Sequence, residues 1–133
     1  MIRISIALAA MLAGCATTAD EKIQPLSGSW GGQHVGLTFD ATAGKLEYDC
    51  AAGEIYGPVI VNSIGEFHEK GTHTPGTGGP VRQDQVPHAL PALYHGSVRG
   101  ERMTLRVIVP SNGTVIGPLE LMLGAPPVLM RCL

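Results

Sequence analysis

Apolar side chains return at every second position through most of this chain, and glycine or proline punctuates each run. Val35, Leu37 and Phe39 share one face of His34–Asp40, and Leu46, Tyr48 and Cys50 share one face of Lys45–Cys50. Tyr94, Gly96 and Val98 do the same along Ala92–Arg99. A period of two marks strands with one buried face. Shorter apolar runs follow the same style at Glu54–Tyr56, Val59–Val61, Met103–Val109, Leu119–Leu123 and Val128–Leu133. Glu66–His73 reads as a strand with a less apolar inner face. Turn residues separate the runs: Ala41–Gly44, Gly57-Pro58, Asn62–Gly65, Gly100-Glu101 and Asn112-Gly113. Asn-Gly is a hairpin signal because both residues accept positive φ. No segment shows helical periodicity, and 18 Gly with 10 Pro argue against long helices.

These spacings predict an all-β domain of about eight or nine short strands joined by tight turns, so neighbours should run antiparallel. An open sheet would leave two unpaired edges, and closure removes them. The expected architecture is a small antiparallel up-and-down β-barrel, with a β-sandwich as the alternative. At 133 residues and 44% hydrophobic, the chain suits one folded domain rather than a disordered segment. Nine basic against eleven acidic side chains give a net charge of −2, which excludes a basic nucleic-acid footprint.

The first residues carry a different signal. Arg3 precedes an apolar stretch from Ile4 to Ala13, too short to span a bilayer but suited to the core of a signal peptide. Leu12-Ala13-Gly14-Cys15 then resembles the lipobox of bacterial lipoproteins. The resemblance implies cleavage after Gly14, acylation of Cys15 (palmitate among the acyl chains), and a location in the cell envelope. Ala16 after the cysteine implies the outer membrane, facing the periplasm. Two or three acyl chains anchor a protein firmly where one does not. Residues 1–14 are thus expected to be a cleaved signal, residues 15–25 a lipidated flexible tether, and residues 26–133 the barrel.

Export frames the other two cysteines. Beyond the inner membrane thiols oxidise, so Cys50 and Cys132 are expected to pair. Closing a loop of about 80 residues would stabilise the fold by roughly 4–4.5 kcal/mol on the loop-entropy account.

Further resemblances lie within the domain. Gly28-Ser29-Trp30 is similar to the Gly-x-Trp that opens the first strand of calycins, which implies a calycin-like barrel with the Trp packed inside. A wider set resembles a family of small exported bacterial proteins without an established activity. It comprises Gly28-x-Trp30-Gly31-Gly32-x-His34-x-x-Leu37, Asp49-Cys50-Ala51-x-Gly53, Gly78-Gly79-Pro80, Tyr94-x-Gly96, Met103-Thr104-Leu105 and Arg131-Cys132-Leu133. Tyr48-Asp49-Cys50 is similar to the Tyr-x-Cys of membrane-bound inhibitors of c-type lysozyme.

Chemistry-bearing residues are sparse. No nucleophile stands with a base, and no phosphate loop or cofactor motif appears, so neither catalysis nor a cofactor is expected. His34, His68, His73, His88 and His95 fit no metal-ligand spacing and read as mostly solvent-facing. Glu69 shares a strand face with Phe67, which makes it a candidate interior polar site, partnered by Arg82 or Arg106 unless a bulge near Gly71 turns it outward. The long Pro-rich stretch Thr74–Pro91 is the candidate interaction loop, with Gly78, Gly79, Pro80 and Arg82 as its presented turn. The expected function is a lipid-anchored envelope module that meets an envelope protein or peptidoglycan. The alternatives are a calycin-like binder of a small apolar ligand and a periplasmic inhibitor of a lysozyme or protease.

Overall fold

A computed structural model describes Gly14, residues 24–76 and residues 88–130. Eight strands follow one another: β1 (Gly28–Gly32), β2 (Val35–Phe39), β3 (Ala43–Tyr48), β4 (Ala51–Tyr56), β5 (Glu66–Pro75), β6 (Leu90–Arg99), β7 (Arg102–Val109) and β8 (Thr114–Leu123). Each pairs antiparallel with the next, and β8 returns to β1, so the sheet is a closed all-β barrel in up-and-down order. The described residues contain no helix. The closing seam is short: Trp30 faces Leu123 and Gly31 faces Met122.

Alternation carries through to packing. Val35, Leu37 and Phe39 of β2, Leu46 and Tyr48 of β3, and Ala92 and Tyr94 of β6 are buried. Met103, Leu105, Val107 and Val109 of β7 join them, with Trp30, Ile55, Val59, Phe67 and Leu121, in one buried core cluster. Outward positions carry Lys45, Glu47, Lys70, Arg102, Arg106 and Glu120. Apolar inside and charged outside is the reverse of a lipid-spanning barrel, whose apolar band faces outward. Phe67 faces Gly96 across β5 and β6, and its ring fills the space where a Cβ at Gly96 would sit.

Several local expectations change. Cys50 is not inward: it lies in the β3–β4 turn at φ 60° and is exposed, because β3 ends at Tyr48 and the period of two stops with it. Val59–Val61 is not a strand but part of the β4–β5 connection, in which Val59 alone is fully buried. The Asn112-Gly113 turn has only Gly113 at positive φ. Its loop spans Pro110–Gly113, and Asn112 Oδ1 accepts the Thr114 N–H at 2.9 Å. Thr74 and Pro75 belong to β5, and Leu90 and Pro91 to β6, so the irregular stretch is shorter than Thr74–Pro91.

Val128 does not open a final strand. It makes an isolated parallel bridge with Gln33 as the chain after β8 crosses the outside of the barrel. Glycines make room for it. A Cβ on Gly31 would overlap Ala125 O and lie 2.8 Å from Pro126 C and Pro127 N, and one on Gly36 would lie 2.8 Å from Pro127 Cβ. Gly31 and Gly36 are register partners, so the two form one bare patch on the outer wall.

Candidate functional site

Strand direction gives the barrel two distinct ends. The chain reaches β1 beside the β4–β5 connection, where the Leu26 N–H donates to Val59 O at 2.8 Å. The β1–β2 and β3–β4 turns lie at the other end, as do the departure of the chain after Pro75 and its return at Leu90.

At that loop end two non-glycine residues hold left-handed corners, His34 at φ 70° and Cys50 at φ 60°. Such corners are costly and persist where neighbours fix them. His34 Nδ1 meets Asp49 Oδ2, and the His34 N–H donates to Val128 O at 2.8 Å. Asp49 Oδ1 accepts the Met130 N–H at 2.6 Å, and Gly32 O accepts the Val128 N–H at 3.0 Å. Cys50 is disulfide-bonded, and its carbonyl accepts the Gly76 N–H at 2.6 Å. His34 and Asp49 therefore tie the C-terminal strap to two turns, and Cys50 ties the same turn to the segment leaving β5.

A polar cluster sits inside the barrel nearer the same end. The Tyr48 hydroxyl donates to the Tyr94 hydroxyl at 3.1 Å, and the Tyr94 hydroxyl donates to Thr72 O. Gly53 makes the space, since a Cβ there would run into the Tyr94 oxygen and lie 3.0 Å from that of Tyr48. Burial raises both phenol pKa values, Tyr94 to about 12, and the neighbouring Tyr94 adds to the rise at Tyr48. His73 faces the same interior, its ring tilted against Tyr48 with centroids 5.7 Å apart. Only 6% of His73 is exposed, and its Nδ1 has no hydrogen-bond partner among the described residues. Burial lowers its pKa below 6.5 and favours the neutral ring. His73 thus departs from the expectation of solvent-facing histidines.

Glu69 lies opposite Tyr94 and between the inward residues Phe67 and Gly71. The β5–β6 register is continuous there, so no bulge turns it outward, and it is half-buried. Arg106 is exposed on the outer face opposite His95 and cannot reach it through the wall. Cys15, Gly78, Gly79, Pro80, Arg82 and Cys132 lie outside the described residues.

Pairing across strands creates a contact that spacing along the chain does not reveal. His68 and His95 are register partners on the outer wall, with ring centroids 4.3 Å apart in an edge-to-face arrangement. Desolvation, then the proximity of His68 and Arg106, lowers the His95 pKa. Among the described residues no three His, Cys, Asp or Glu side chains converge as metal ligands. In comparisons with known proteins, the chain matches no family model, no curated protein and no solved structure.

Proposed function

We propose that this chain is a lipid-anchored module of the cell envelope that presents the loop end of its barrel to a macromolecular partner, without catalysis. The observation that carries the reading is strand polarity. A tether from Cys15 would meet the barrel at the end marked by Leu26 and Val59, leaving the opposite end directed away from the membrane. That opposite end is where His34, Asp49, Cys50 and the strap are fastened together, which supports a rigid display surface. The interior is occupied by Trp30, Phe39, Phe67, Tyr48, Tyr94 and Met103, which favours a displayed surface over an enclosed apolar ligand.

Cys132 is the natural disulfide partner of Cys50 on this reading. It lies two residues beyond Met130, whose N–H is held by the neighbouring Asp49. Two residues reach about 7 Å, enough to bring its Cα within disulfide range. Peptide mapping under non-reducing conditions should recover the Cys50–Cys132 link, and two freely alkylated thiols would refute it.

Replacing residues 76–85 with a short Gly-Ser link tests the display reading. Partner recovery should be lost while the melting temperature changes little, because loop length alters closure entropy only slowly. Retention of both would remove this segment from the interaction surface.

A further inference from the structure

A cleft of about 350 Å³ runs along the outer wall at the β1–β8 seam. Gly31, Gly32 and Gln33 line it beneath the edge of the strap, whose Ala125, Pro126 and Val128 form one side. The other side is the outer face of β7 and β8, with Arg102, Glu120 and Met122. It forms because the β1–β8 ladder stops after two residue pairs and the strap bridges what is left open.

The lining has an unusual balance. Arg102 and Glu120 are both exposed, and neither makes an ion pair or side-chain hydrogen bond with a described residue. Between and beside them stand Met122, 48% exposed, and Val128, 50% exposed. Arg102 faces Met122 in register and Glu120 is two residues from Met122, so the two charges are diagonal neighbours on one face. Such positions are about 7–8 Å apart. An extended peptide advances about 3.3–3.6 Å per residue, so two residues span that interval. A guanidinium suits a carboxylate, and a carboxylate suits an ammonium.

We propose that this cleft binds a short peptide of about two residues by both free termini. The peptide carboxylate meets Arg102 and its ammonium meets Glu120, while an apolar side chain covers Met122 and Val128. The site runs along the barrel wall from Arg102 to the Gln33–Val128 bridge at the loop end, and it rests on its own lining rather than on the display reading.

Alanyl-leucine, its N-acetyl form and its C-terminal amide are the probes, titrated against the full processed chain and followed by backbone amide shifts. The free dipeptide should bind with a Kd of about 1 mM, the scale expected for so small a ligand. Its largest shifts should fall on Gly31, Gly32 and Glu120. Blocking either terminus should weaken binding about threefold to fivefold, as for exposed ion pairs. Glu120→Gln should remove the sensitivity to acetylation and keep that to amidation, and Arg102→Gln should do the reverse. Both side chains are exposed, so either variant should keep the fold. Equal binding of free and blocked dipeptides to the unaltered chain would overturn the proposal, as would no saturable shift or shifts centred elsewhere.

Discussion

Gly31→Ala should destabilise the barrel even though alanine suits a strand better than glycine. The added Cβ points out of the barrel, where it would overlap Ala125 O and press on Pro126 and Pro127. All of these contacts are backbone or ring, so the strap must lift rather than rotate a side chain aside. Lifting it costs the bonds from Val128 N to Gly32 O, His34 N to Val128 O and Met130 N to Asp49 Oδ1. At about 1 kcal/mol net for each, the loss is about 3 kcal/mol. Alanine returns about 0.5–1 kcal/mol by restricting the unfolded chain. The balance is a destabilisation of about 2 kcal/mol, read from urea denaturation under non-reducing conditions. A second background isolates the cause. In a chain ending at Gly124 with Cys50→Ser, the same substitution should be neutral or slightly stabilising, since nothing lies over Gly31. A full-length Gly31→Ala variant as stable as its parent would refute the strap packing, and so would an equal loss in the truncated chain.

Tyr94→Phe should cost about 2–3 kcal/mol, because it removes two buried hydrogen bonds, the one to Thr72 O and the one accepted from the Tyr48 hydroxyl, whereas Tyr48→Phe removes one and should cost about 1 kcal/mol; chemical denaturation of the two variants gives the order. Burial lowers the His73 pKa, and His95 is shifted the same way, so the unfolded chain takes up protons that the barrel resists. Stability should therefore be full above about pH 6.5 and fall as the pH drops through the folded-state values, with a shallower fall in His73→Gln; unfolding midpoints between pH 5 and 8 check the sign. Cys15→Ser should leave an unacylated precursor that separates from membranes on washing, seen by intact mass and fractionation.

The barrel was legible in the chain because alternation encodes which face each side chain takes. Val35, Leu37, Phe39 and Tyr94 all landed inside as their spacing required. Alternation carries no register, however, so the meeting of His68 with His95 and of Phe67 with Gly96 emerges only from the β5–β6 pairing. It also misleads past a strand end, as at Cys50, where a left-handed corner replaces the next inward position. Gly31 and Gly36 were visible as glycines, but what they admit, the strap from Ala125 to Val128, arrives from far along the chain. Spacing along β5 sets Glu69 between Phe67 and Gly71, where it is half-buried, while the His73 Nδ1, without a hydrogen-bond partner among the described residues, needed the packed interior to be recognised.

Site-specific photocrosslinking in cells tests the display of the loop end most directly. A photoreactive side chain at Gln33, beside the loop-end clasp, should give a discrete adduct with a single envelope component. The same side chain at Glu101 or Ile64, at the end where the chain joins the barrel, should give none. Adducts from Glu101 or Ile64 but not from Gln33 would contradict the account, as would no adduct from either end.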